Sequence, residues 1–237
     1  MHDIKYSFIM PYYDRHVQLG KTLNTFWALY GSRTDYEIIL IEDAKNAGNV
    51  TLHRNFVNTL MHFRTRINVR SMDFPKVGYN PAPLINFGVS YAKGTYIVLT
   101  NPECYHTVDI LSGFDKAFAE DSDCYIVCGC KSLTQHGTFH MWYQHSQYRN
   151  NCLHFCTAIS RALFNLIGGF PSQFGDGYAF DDDAFRELLI SKEIRFVLRD
   201  DLLVIHQHHS KIRPANWHTL WKKNKQLYET MFNKQVV

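Results

Sequence analysis

The sequence predicts an α/β protein built on a parallel sheet flanked by helices, and three observations predict it. Apolar runs without polar alternation recur at residues 6–11, 38–41 and 96–99, as in strands covered on both faces. Between them lie segments whose apolar residues repeat at the 3–4 spacing of one helix face. The polar residues Glu42, Asp43, Asn101 and Glu103 stand just past the carboxyl ends of these runs, where open α/β sheets hold their ligands.

Taken in order, Tyr-Ser-Phe-Ile-Met-Pro at 6–11 forms a first strand ended by proline. Asp14 is placed to cap a helix with Leu19, Leu23, Phe26, Trp27 and Tyr30 on one face, closed at Gly31. Ile38 to Ile41 is a second strand that delivers Glu42 and Asp43. Leu52, Phe56, Leu60 and Phe63 mark the next helix, Asn68 to Ser71 a weaker third strand, and 82–92 a helix closed by Gly94. Residues 96–100 form the fourth strand, and Pro102 takes the chain out of the sheet. This β-α-β-α-β-α-β alternation implies a parallel sheet with right-handed crossovers.

The pattern then changes. Residues 108–118 read as a helix and 125–127 as a strand, while 131–151 are polar and aromatic without a period, suiting long loops and a smaller mixed sheet. Residues 160–168 are helical and close at Gly168-Gly169. A glycine- and aromatic-rich loop reaches Asp181-Asp182-Asp183, which opens a helix with Phe185, Leu188 and Leu189 inward. Short strands are expected at 195–197 and 203–205, the second running into His206-Gln-His-His209. After Pro214 comes a basic amphipathic helix with Trp217, Leu220, Trp221, Leu227, Tyr228 and Met231.

Composition narrows the function classes. A chain of 237 residues with 46% apolar and 20% charged residues is an ordinary globular protein with room for a sizeable core. The 15% aromatic content suits stacking on bases and sugar rings as well as core filling. A net charge of +3 gives no strong signal for nucleic acid. The basic last helix presents either a solvated face or one for an anionic acceptor or a membrane surface. The six cysteines lack paired C-x2-C spacing, no basic-plus-apolar leader precedes the first strand, and no apolar stretch reaches the ~18 residues of a membrane span. The expectation is a cytoplasmic protein with reduced thiols.

Four polar clusters sit at element ends, and each has a structural alternative. Glu103 is a metal-ligand candidate or a loop acid capping the next helix. Asp43 is a ligand contact or a turn cap. Asp181-Asp182-Asp183 is a catalytic group or a solvated helix start. The histidine run is a surface patch, or His206 completes a carboxylate site for a divalent cation. Taken together they suit chemistry on a nucleoside diphosphate, whose departure needs a cation to offset its charge. Glu103 and His206 fit the metal role, and Asp182 fits a nearby general base.

With these residues in view, the sequence resembles the family 2 glycosyltransferases, which have the Rossmann-like GT-A fold. The likeness covers roughly residues 4–210. Phe8-Ile-Met-Pro-Tyr-Tyr-Asp-Arg15 is similar to the family's first strand and nucleotide-binding turn, and Ile38-Ile-Leu-Ile-Glu-Asp-Ala44 to its second strand. Asn86 to Ile97 is similar to the segment that leads to the metal-binding strand. Asn101-Pro102-Glu103 stands where the family has D-x-D, with Asn in place of the first acid. Gly168-Gly169-Phe170 and Phe180-Asp-Asp-Asp183 resemble the family's Gly-Gly-Phe and Glu-Asp signatures.

The resemblance implies one domain over 1–213, with a nucleotide-binding half at 1–105, an acceptor half at 106–213, and 214–237 as a helix packed against it. It implies a nucleotide-sugar donor, a UDP-sugar first, contacted by Pro11, Tyr12, Tyr13, Asp43, Asn86 and Asn101. It implies Mn²⁺ or Mg²⁺ on Glu103 and His206, and a glycan or other hydroxyl acceptor near Trp142 and Tyr143. Asp182 would act as base and Asp181 would position the acceptor, giving inverting glycosyl transfer. The rival readings are a nucleotidyltransferase, disfavoured because residues 9–21 lack a glycine- and lysine-rich phosphate loop, and a degenerate module that binds a glycan or nucleotide. The last helix also admits a nucleic-acid binder.

Overall fold

Residues whose apolar runs lack polar alternation must bury both faces of a strand, and β1 (Tyr6–Tyr12) does so. The computed structural model describes residues 3–43, 69–74, 80–210 and 213–234. Phe8 and Met10 of β1 point to one core, with Leu19, Leu23, Phe26 and Tyr30 of helix α1 (His16–Tyr30) and Ile110 and Phe114 of a later helix. Ile9 points to the other, with Ile39 and Ile41 of β2 (Tyr36–Asp43) and Leu84, Ile85 and Val89 of helix α2 (Ala82–Ser90). The two-residue period of a strand divides one apolar run between two cores. Helix α2 lies close to this sheet: a Cβ on Gly88 would stand 2.5 Å from Cδ1 of Ile41.

The first half is parallel. β1 pairs with β2 and with β4 (Tyr96–Thr100), and β2 pairs with β3 (Val69–Phe74). The helix expected around Leu52 to Phe63 lies outside the described residues.

The second half continues the same nine-stranded sheet with mixed pairing, in the order β3-β2-β1-β4-β8 (Cys156–Ser160)-β6 (Tyr125–Leu133)-β9 (Phe196–His206)-β5 (Cys104–His106), with β7 (Phe139–Gln144) on β6. After β4 the chain turns at Asn101-Pro102-Glu103 into a short strand, β5 (Cys104–His106), then helix α3 (Ile110–Glu120), capped by Asp109. β6 (Tyr125–Leu133) runs longer than the apolar core of its sequence suggests, because it forms a hairpin with β7 (Phe139–Gln144) inside the segment without a period. β8 (Cys156–Ser160) is antiparallel to β4 and leads into helix α4 (Arg161–Leu166). A 3₁₀ turn (Ser172–Asp176) precedes helix α5 (Asp181–Ser191). The two short late strands are one, β9 (Phe196–His206): its polar middle bulges, with a register shift between the pair of Cys128 with Arg199 and that of Cys130 with Val204. Helix α6 (Trp217–Phe232) closes the chain and packs Trp221, Leu227 and Tyr228 against Phe174, Phe180 and Ala184.

Asp14 does not cap α1. The cap position falls on Arg15 without a side-chain cap bond, and Asp14 takes a left-handed φ of 47° one residue earlier. All six cysteines are free thiols. No helix among the described residues is long and apolar enough to cross a membrane.

Candidate active site

The turn after β4 is tied down by its backbone. Thr22 of α1 donates to the carbonyl of Pro102 at 2.7 Å, and Gln207 donates to the carbonyl of Glu103 from both its main chain (3.0 Å) and its side chain (3.2 Å). Cys104 of β5 pairs with His206 of β9, so the carboxyl end of β9 lies beside the turn. Glu103 Oε1 therefore stands 3.5 Å from Nε2 of His206 and 3.5 Å from Nε2 of His209. The three ligand atoms lie within 4.8 Å of one another. Burial alone would raise the Glu103 carboxyl, but the two imidazoles outweigh it and hold the group below the usual carboxylate range. One carboxylate and two imidazoles form a donor set that fits a divalent transition ion.

The sequence reading paired Glu103 with His206 alone. His209 is the third candidate donor, and its signal is the spacing of His206-x-x-His209, which lets the chain turn past the strand end and face back. Tyr143 packs its ring on His206 at 4.7 Å and on Phe155 at 4.7 Å, so this residue, expected on the acceptor side, borders the histidines. Trp142 instead joins His145 (4.3 Å) and Tyr148 (6.1 Å) in an aromatic group on the hairpin.

The acid run forms a second cluster. Asp182 Oδ1 lies 2.5 Å from Nε2 of the buried His154. Burial would lower the imidazole, but Asp182, with Asp181 and Asp183 behind it, outweighs this and raises it. Asp181 is 4% exposed. Burial, then the neighbouring Asp182 charge, pushes its carboxyl up to about 7. Asp183 pairs with Arg186 at 3.3 Å. His154 is fixed edge-on against Phe170 at 4.7 Å. No periodic or motif signal marks His154 in the sequence; only the fold brings it to Asp182.

The two clusters share one rim of the sheet. Thr100, three residues before Glu103, pairs with Cys156, two residues after His154. Phe155 between them places its ring 5.9 Å from that of His206 and accepts a hydrogen bond from Thr100 at 3.4 Å. Adjacent residues thus touch the two clusters, His154 the acids and Phe155 the histidines.

The expected donor residues divide. Pro11 and Tyr12 pair with Ile41 and Glu42 at the same carboxyl ends, with Asp43 and Tyr13 one residue further on. Tyr12 is buried in the core at 2% exposure, whereas Pro11, Tyr13 and Asp43 are half-buried. Asn101, half-buried, opens the turn that carries Glu103, its carbonyl accepting from Cys104 at 3.0 Å. Asn86 clamps the Gly168-Gly169-Phe170 loop instead: it donates to the carbonyl of Phe170 at 2.8 Å and accepts from its N–H at 2.9 Å.

A family model described as glycosyl transferase family 2 matches residues 7–189. The chain belongs to glycosyl transferase family 2. The sequence matches no curated protein. Among solved structures, TarS 1–349 of S. aureus, crystallised with UDP-GlcNAc, superposes with a TM-score of 0.69 at 14% identity, covering 94% of this chain and 66% of that one. The mannosyltransferase PcManGT of Pyrobaculum calidifontis, in complex with GDP-Man and Mn²⁺, superposes at 0.63 and 14% identity, covering 100% of this chain and 66% of that one. The chain thus spans about two thirds of the length of these structures, and at such identity the likeness is one of fold, the GT-A fold.

Proposed function

We propose that this family 2 chain transfers a sugar from a nucleotide diphosphate sugar to an acceptor hydroxyl, with inversion at the anomeric carbon. The observation that carries the reading is the meeting of two clusters at one rim: Glu103 with His206 and His209, and Asp182 with His154. Glu103, His206 and His209 would hold the cation, and two imidazoles in the set favour Mn²⁺ over Mg²⁺. When bound, the ion offsets the diphosphate charge that builds as the donor bond breaks. Pro11, Tyr13 and Asp43, at the ends of β1 and β2, would border the base.

Asp182 takes the acceptor proton. His154 engages Oδ1 and fixes the carboxylate's direction, and we assign Oδ2 to the acceptor hydroxyl. Asp181, buried and protonated over most of the acid range, adds little like charge beside it and is placed to orient the acceptor. Tyr143, against His206, lines the acceptor side.

The test is nucleotide release from UDP-GlcNAc, GDP-mannose and other nucleotide sugars, with and without Mn²⁺, UDP-sugars first. Mn²⁺-dependent release supports the reading, and its absence across the panel removes it. Asn101 in place of the first acid of D-x-D favours a second reading, a binding module of the same fold without turnover. Tight donor binding without release would select it.

A further inference from the structure

Helix α6 reaches the turn that leads into the acid run through one buried amide. Asn224 is fully buried, and its Nδ2 donates to the carbonyl of Ala179 at 2.7 Å and to that of Phe174 at 3.1 Å. Asn80, before α2, donates to the same Ala179 carbonyl at 3.2 Å. The backbone so held is unusual. Ala179 and Phe180 take consecutive left-handed conformations, φ 62° and 66°, immediately before Asp181. Residues with a Cβ disfavour that region, and two in succession persist only where the surroundings hold them.

The surroundings are shaped for this amide. A Cβ on Gly177 would stand 1.8 Å from Oδ1 of Asn224, so only glycine there leaves room. Tyr178 N–H donates to the carbonyl of Leu220 at 3.3 Å. The Phe180 ring packs on Trp221 and Tyr228 at 5.5 and 5.6 Å. Tyr228 then donates to Glu187, inside α5, at 3.1 Å. The last helix therefore grips both the strained turn and the helix that the turn opens.

We propose that Asn224 is a positioning residue: by holding the left-handed Ala179-Phe180 turn, it sets the direction in which Asp182 leaves the start of α5 and so its approach to His154 and the acceptor. The inference rests on the reading of Asp182 as the base. It makes α6 part of the catalytic apparatus although none of its side chains reaches the two clusters at the rim.

The test uses the full chain with Asn224→Ala, the double variant Asn224→Ala with Ala179→Gly, and Asp182→Asn. Glycine adopts the left-handed region readily, so it restores the turn where only conformation was lost. In the Mn²⁺-dependent donor assay, Asn224→Ala is expected to lower kcat by about 10- to 100-fold with donor KM and Mn²⁺ affinity nearly unchanged, and the added glycine to recover most of it. NMR titration of His154 supplies a readout independent of turnover. Its midpoint is expected to fall when Asp182 swings away and to return in the double variant. An unchanged kcat and His154 midpoint in Asn224→Ala overturn the inference, as does a loss that glycine does not repair. If Asn224→Ala does not fold, Asn224→Ser gives the same comparison at the same midpoint. Should Asp182→Asn keep full turnover, the base assignment fails, and the His154 midpoint alone still decides whether Asn224 directs Asp182.

Discussion

His154, two residues before β8, and Asp182, in the first turn of α5, approach to 2.5 Å in an ion pair. The imidazole is buried and wedged against Phe170 and Phe185, whereas the Asp182 side chain keeps 35% exposure. The pair therefore has one rigid member and one that faces solvent.

Removing the proposed base from this pair gives the sharpest expectation. Asp182→Asn should lower kcat by at least ~10²-fold with donor binding nearly intact. His154→Gln, which leaves the carboxylate but removes its support, should cost less, about tenfold. Steady-state kinetics with separate donor-binding titrations distinguish the two.

Cation binding should depend on three residues. Glu103→Ala and His209→Ala should each weaken Mn²⁺ binding by at least ~10-fold, and Mg²⁺ should substitute poorly. Calorimetric titration of Mn²⁺ into each variant is the measurement. Wild-type affinity in His209→Ala would reduce the site to Glu103 and His206.

The buried acid makes stability depend on pH. Burial, then the Asp182 charge, raises Asp181 from an ordinary 3.8 to about 7. A raised folded value means that its contribution is full below about pH 4 and is lost as pH rises through about 7. Asp181→Asn keeps the shape without the charge. Its stability relative to the wild type should therefore climb over that window, by on the order of a few kcal/mol. Glu103 has the opposite sign: its folded value is depressed, so its contribution is present at neutral pH and fades in acid. Denaturant unfolding at a series of pH values reads both.

Packing gives a prediction away from the chemistry. Gly88→Ala would drive a methyl to 2.5 Å from Ile41 and 2.9 Å from Ile9. Overpacking of this kind costs ~1–3 kcal/mol, equivalent to a Tm lower by very roughly 2–12 °C in a chain of this size. Differential scanning calorimetry is the check.

What the sequence disclosed, and what it hid, follows from the range of the interactions. Strands β1, β2 and β4 were legible because Phe8 to Met10, Ile38 to Ile41 and Ile97 to Leu99 are local runs whose lack of alternation already states two-sided burial. Glu103 and Asp182 were legible because each follows a chain-breaking signal, Pro102 in one case and a glycine-rich loop in the other. β5 was hidden, since Cys104 to His106 is a strand only because β9 lies opposite it. β9 reads as two pieces because Arg199-Asp-Asp201 breaks its apolar run at a bulge, beyond which the pairing with β6 resumes at Val204. His154 carries no local sign of its approach to Asp182, and the tie of Asn86 to Phe170 is hidden because only the folded chain brings that loop to its amide.

The three candidate cation donors lie far apart in the chain, Glu103 in the turn after β4 and His206 and His209 at the end of β9. An ion seated there would act as a staple across roughly a hundred intervening residues, raising the melting temperature by mass action only in molecules whose final strand has docked. Mn²⁺-dependent melting thus doubles as a gauge of closure: a chain cut before His206 would keep its first four strands' sequence yet show no response to the ion at all.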